Sequence, residues 1–397
     1  MKKKFSLLIA LMPLAILTAL TPSAAYAQED PMVEFERAWY DTCYVKKDVE
    51  KCYQQSKEMV DKYSKSTYIE NAKTRIRLYD QNKASEKFQA AFDAYYKQPP
   101  QDAAKLEALF AAGDGYLQVE PDQQSPSHLY VLGRMALAGH QAAVGRVYDK
   151  LDKVKVYIEQ AMKDFGSAQS SEKTKKDFDL YVIPLKDLVM ANGNQFLGFC
   201  LIETKGDADQ ALEYLTKATQ VKGKDGVGWK DPNNYWLRST IYSAQYTELK
   251  KPYDAMTEEQ KGSESGKAIL KKVNELLDTK LIPEYARVLA TANNPDAKPF
   301  YDAVKPQFDV LWKFRTDAAD KASDYIKSYA SDPTIPNVPV PAKPEDASSL
   351  NGPVPSTVPA NVKLQASGPA GVPGGNGAKA TAEKKASAKG GRRRGRG

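Results

Sequence analysis

Residues Asn194–Thr219 read NQFLGFCLIETKGDADQALEYLTKAT. The first half is an apolar run around Phe196-Leu197-Gly198, and Gly206-Asp207 interrupts it. Ala211, Leu215 and Ala218 then recur at three- and four-residue spacing, which lays side chains along one face of a helix. The pattern predicts two helices folded against each other, with the small residue Gly198 where they cross. A single hairpin cannot bury its own apolar face, so hairpins of the same kind must flank it.

The flanking sequence supplies them. Asp30-Pro31 pairs an N-cap with a proline suited to the first helical position. Helical stripes follow at Phe35, Ala38, Trp39, Thr42 and Cys43, then at Val49, Cys52, Tyr53, Ser56, Met59, Val60 and Tyr63. Thr67 and Glu70 have capping-box spacing and open a third helix through Ile76. A further helix carries Phe88, Ala91, Phe92 and Tyr95 and stops at Pro99-Pro100. Stripes continue at Leu106–Leu117, Leu129–Leu137, Val144–Ala161 and Trp236–Tyr242, and two long helical stretches over residues 266–292 and 299–330 close the body. No segment sustains period-two alternation, so the fold class is all-α.

Both ends differ from this body. Lys2-Lys3-Lys4, the apolar run Phe5–Leu20 and Ala25-Tyr26-Ala27 are the parts of a secretory leader. The run is short of the ~20 residues that span a bilayer, so cleavage near Ala27 and export are expected. No cysteine follows that site, so a lipid anchor is not indicated. From Ser331 onward the chain holds ten of its 24 prolines and no Phe, Tyr or Trp. Such a composition buries too little apolar surface to offset the entropy of ordering, and disorder is expected over residues 331–397. The expected layout is a leader over 1–27, helical repeats over 28–250, a long-helix region packed on them over 251–330, and this tail.

The net charge of +7 belongs to the ends. The leader contributes +3 and residues 331–397 contribute +6, which leaves the body near −2. The last fourteen residues hold seven cations, Lys384, Lys385, Lys389, Arg392, Arg393, Arg394 and Arg396, and no acid. In an exported protein these are candidates for anionic lipid or glycan, since each basic residue near such a surface contributes ~1 kcal/mol; nucleic acid ranks behind. Export also makes Cys43 and Cys52 candidates for a disulfide, worth roughly 2–3 kcal/mol for so short a loop. Cys200 sits among Phe199, Leu201 and Ile202 and reads as a small core residue.

The hairpins resemble tetratricopeptide repeats. Leu129, Leu132-Gly133 and Ala136 match the first helix of that repeat, as do Leu197-Gly198 with Leu201, followed by Ala211, Leu215 and Ala218 in the second. Tyr235-Trp236-Leu237 with Ile241 is a weaker instance, with Arg238 where glycine is usual. The spacing departs from a period of ~34, so the resemblance is to a degenerate array. It implies an α-solenoid whose inner face binds a protein or peptide through first-helix residues beside the small crossing position. Those candidates are Tyr130 and Arg134, Gln195, and Tyr235, Ser239 and Tyr242; Phe199 and Ile202 occupy similar positions but read as packing.

No catalytic pattern accompanies this. His128 and His140 lie twelve residues apart, about 120° around a helix, so they do not share a face. Metalloprotease, serine-hydrolase and phosphate-loop motifs are absent. Gly223–Gly228 is glycine-rich but follows no strand, and reads as an inter-helix loop with Trp229 packed beside it. Glu258, Glu259 and Glu264 read as a solvated loop, and no cofactor or metal is implied. The expected function is an exported, non-enzymatic scaffold for protein–protein interaction in the cell envelope. The alternative is an envelope-attachment protein acting through its basic tail.

Overall fold

The computed structural model describes residues 30–99, 101–292 and 295–343; the leader expected over residues 1–27 and the basic cluster 384–397 lie outside them. The helices, in order, are α1 Pro31–Tyr40, α2 Val49–Lys62, α3 Ile69–Lys97, α4 Ala103–Val119, α5 Pro126–Val144, α6 Leu151–Ser167, the single turn α7 Lys175–Asp177, α8 Ile183–Glu203, α9 Ala208–Gln220, α10 Pro232–Asp254, the short α11 Glu258–Gly262, α12 Glu264–Leu276, α13 Ile282–Thr291, α14 Lys298–Arg315 and α15 Ala322–Lys327. The fold is all-helical. Among the described residues there is no strand, only isolated bridges at Lys222–Gly228 and Thr316–Ala342. No helix there is long and apolar enough to cross a membrane.

The hairpin of residues 194–219 forms as α8 and α9. Asp207 caps α9 by accepting hydrogen bonds from the Asp209 and Gln210 amides at 2.9 and 3.0 Å. A Cβ on Gly198 would stand 2.7 Å from Leu215 Cγ, so glycine is what lets the two backbones approach. Gly133 does the same on α5, where a Cβ would meet the Phe165 ring of α6 at 2.9 Å. Packing is largely between chain neighbours: α3 on α4, α4 on α5, α5 on α6, α8 on α9, α10 on α12 and α13, and α13 on α14. Helix α8 also rests on both α5 and α6.

Two apolar cores result. A small one gathers Trp39, Cys43, Cys52, Met59 and Ala72 from α1, the π turn Asp41–Lys46 that follows it, α2 and the start of α3. Trp39 donates its indole N–H to Ser56 at 2.8 Å, and a disulfide joins Cys43 to Cys52. The large core runs from Phe88 to Tyr329. Helix α3 bridges the two as one continuous rod, with Ala72 in the first and Phe88 and Tyr95 in the second.

Some boundaries differ from those read in the sequence. The expected break between Ile76 and Phe88 is absent because the intervening polar residues cross from one core to the other without a helix breaker. The Thr67–Glu70 capping box does not form. Glu36 of α1 instead accepts from Ser66 Oγ at 2.6 Å and the Thr67 amide at 3.0 Å, while Glu70 pairs with Lys73. The apolar stripe expected over 144–161 is interrupted, with α5 ending at Val144 and α6 starting at Leu151. The long stretch 266–292 contains a widened π turn, Leu277–Leu281, just before Pro283, and Phe178–Val182 likewise precedes Pro184. A proline ring crowds the carbonyl one turn back and lacks an N–H, so the turn opens there.

The largest difference is past Ser331. Residues 332–343 form a strap against α13, α14 and α15, a turn over 332–335 followed by extended chain, with Ile335, Val338 and Val340 packed on the main core. Arg287 of α13 donates to the carbonyls of Pro333 and Ile335 at 2.7 and 2.9 Å. The composition argument missed this because alternate apolar residues between prolines can still bury one edge.

Candidate functional site

The six candidate partner residues separate into two groups. Gln195, Tyr235, Ser239 and Tyr242 are buried and lie within the fold, which removes them from any exposed inner face in this conformation. Gln195 accepts from His140 Nε2 at 2.8 Å and donates to Asp231 at 2.8 Å and Asn234 at 2.9 Å. Tyr235 donates to the Trp229 carbonyl at 2.6 Å, and Ser239 Oγ to the Trp236 carbonyl at 2.7 Å. This polar net stitches α5, α8 and α10 to the loop before α10, and the loop buries what the repeat pattern would expose. Tyr242 packs beside Arg238, with burial raising its hydroxyl pKa.

Arg238, at the position where glycine was expected, reaches α13 and pairs with the buried Glu284 at 2.9 Å. Arg287 holds the same carboxylate oxygen at 3.0 Å and stacks over the Tyr329 ring, 4.6 Å from its centre. This charge cluster fastens α10 to α13 and the strap.

Tyr130 and Arg134 remain half-exposed, one turn apart on α5. They share a surface with residues that sequence reasoning had not placed there. The Arg134 guanidinium carbon lies 5.0 Å from the centre of the Tyr130 ring and 5.4 Å from that of Phe92 on α3. Tyr96 packs beside Phe92 at 4.6 Å, and Tyr181 meets Tyr130 edge-on at 5.5 Å. Phe92 and Tyr96 are one turn apart on α3, at the partly buried margin of the stripe that also carries Phe88 and Tyr95; that i, i+4 aromatic pair was the available signal. Among the described residues no carboxylate lies within ion-pair distance of Arg134, and its Nε is buried without a hydrogen-bond partner. A guanidinium between two rings, with no acid beside it, is a ready receptor for a carboxylate.

The remaining motifs are structural. His128 Nδ1 lies 2.8 Å from the Glu120 carbonyl and Nε2 lies 3.9 Å from Asp164, while His140 faces Gln195, so the histidines do not converge. His140 lines a shallow dent with Ala136, Ile158, Val189 and Gly193 that has no room for a water-sized molecule. Burial lowers the His140 pKa from 6.5 to about 4, the Gln195 hydrogen bond opposing it. Cys200 is half-buried with its thiol pushed up to about 12 by desolvation, far from a reactive thiolate. The glycine-rich loop spends its amides on its own carbonyls, including Gly223 to Val227 and Trp229 to Val221. Gly228 has φ +81°, and a Cβ there would strike the Val221 and Ala218 carbonyls. Glu258 and Glu259 open the short α11. Among the described residues no group of metal-ligating side chains converges. The cations Lys384–Arg396 lie outside the described residues.

Comparison with protein-family models, curated proteins and solved structures finds no match to this chain.

Proposed function

We propose that this chain is an exported, non-enzymatic helical scaffold of degenerate tetratricopeptide-like design that holds a partner protein in the cell envelope. In this reading the partner presents a carboxylate to Arg134, flanked by Tyr130, Phe92, Tyr96 and Tyr181. The repeat design is supported by the pairing of α5 with α6 and of α8 with α9, by the seating of α8 on α5 and α6, and by glycine at both crossings. Export rests on the leader pattern of residues 1–27.

The observation that carries the binding reading is the isolation of Arg134. Charged groups buried at one edge are ordinarily paired, and this one has aromatic neighbours in place of an acid. Arginine among aromatic rings is also the composition of interface hot spots. The test is capture of envelope proteins by the mature full chain carrying Arg134→Met, which keeps the stem and removes the charge. Capture should fall at least tenfold while the circular dichroism spectrum is unchanged. Equal capture by both chains would contradict the assignment. The cations at Lys384–Arg396 act in this reading as a separate, salt-sensitive tether, so deleting residues 384–397 leaves partner capture intact.

A further inference from the structure

The proline-rich strap is held by few side chains. Asp332 accepts from the Thr334 amide at 2.9 Å and its hydroxyl at 2.5 Å, and its other oxygen pairs with Lys222 at 3.0 Å. Asn337 accepts from Arg287 Nη2 at 2.7 Å and donates to the Thr279 carbonyl. Lys343 pairs with Asp317 at 3.0 Å, and the rest of the polar grip is on backbone. The Val338 N–H donates to the Tyr329 hydroxyl at 2.8 Å, its carbonyl accepts from the Tyr325 hydroxyl at 2.9 Å, and Arg287 takes the Pro333 and Ile335 carbonyls. Backbone contacts of this kind accept any residue at those positions, save proline at 338, where an N–H is needed.

Part of this polar grip recurs fourteen residues downstream. Residues 332–342 read DPTIPNVPVPA, and residues 346–356 read DASSLNGPVPS. Asp346, Ser348 and Asn351 correspond to Asp332, Thr334 and Asn337, and Pro353-Val354-Pro355 repeats Pro339-Val340-Pro341. Prolines preset an extended backbone, so docking such a segment orders little that was free.

We propose that residues 346–356 are a second strap that competes for the groove on α13–α15, giving the chain two docked registers fourteen residues apart. This rests on the groove alone and is independent of the Arg134 reading. The differences between the copies set their order. Ile335 and Val338 pack on the core, whereas the second copy has Ser349 and Gly352 there, so the first strap is dominant and the second docks when the first is weakened. Exchange lengthens the connection after α15 and draws the basic terminus toward the body by the same fourteen residues.

Hydrogen exchange with mass spectrometry on the full chain tests this. In Asn337→Ala/Val338→Gly, residues 346–356 should exchange at least tenfold more slowly than in the same variant carrying Asn351→Ala as well. Equal rates in the two variants would overturn the proposal. Protection of 346–356 that disappears on dilution would place the segment on a second copy, and would overturn the single-chain register. A second measurement needs no altered protein. A synthetic peptide of residues 346–357, added in millimolar excess to the wild-type chain, should speed exchange of residues 332–342 at least threefold, and its Asn351→Ala counterpart should not. No change with either peptide would likewise overturn it.

Discussion

Gly198 of α8 lies against Leu215 of α9 so closely that a Cβ would be 2.7 Å from Leu215 Cγ and 3.1 Å from the Ala211 carbonyl oxygen. The carbonyl belongs to helix backbone and cannot yield. Gly198→Ala gains about 1 kcal/mol of helix propensity but loses about 1–3 kcal/mol to overpacking, for a net loss of about 1 kcal/mol. Gly115 of α4 is the control, since nothing lies within 4 Å of its Cβ position. Gly115→Ala should stabilise by about 0.5–1 kcal/mol. Urea denaturation of both variants checks the opposite signs.

Glu284 is 2 % exposed and sits between Arg238 and Arg287. Removing it leaves two guanidinium groups without their shared counter-charge, so Glu284→Ala should cost about 3–5 kcal/mol. Glu284→Gln keeps an acceptor oxygen and should cost less. Thermal unfolding orders the two variants.

His140 gives stability a pH dependence whose sign follows from its depressed pKa. Above pH 6.5 the imidazole is neutral in folded and unfolded chains alike. Between 6.5 and about 4 the unfolded chain takes up a proton that the buried site refuses, so this group costs stability progressively as pH falls. The loss amounts to about 3 kcal/mol across the window. His140→Gln can still donate to Gln195 but cannot titrate. Its unfolding free energy should therefore fall less than the wild type's between pH 7 and pH 4.

The Cys43–Cys52 disulfide closes a short loop, with a sequence separation of 9, within the small core around Trp39. Its loss should cost that core roughly 2–3 kcal/mol. Amide exchange in Cys43→Ser/Cys52→Ser should accelerate in α1 and α2 and stay unchanged in α8 and α9.

What the sequence made legible was local. The break at Gly206-Asp207, the crossing at Gly198 and the helical class followed from spacing and residue size. The burial of Gln195, Tyr235 and Ser239 did not, because it depends on a loop and on α13, both remote in sequence. Periodicity marks apolar faces, so a buried net of His140, Gln195, Asp231 and Asn234 leaves no periodic trace. The strap was hidden for a related reason: proline content speaks for an extended chain but not for a groove awaiting it. At the candidate site Tyr130 and Arg134 were legible from the repeat pattern, whereas Phe92, Tyr96 and Tyr181 come from other elements and meet only in the fold.

The central claim is that a partner docks on the face around Arg134. Site-specific photocrosslinking in intact cells tests it most directly, with the probe replacing Tyr181 at the edge of that face or Tyr301, an exposed control on α14. The account predicts a discrete adduct from position 181, its loss when Arg134→Met is added, and none from position 301. Adducts of equal yield from both positions, or an adduct at 181 indifferent to Arg134→Met, would contradict it.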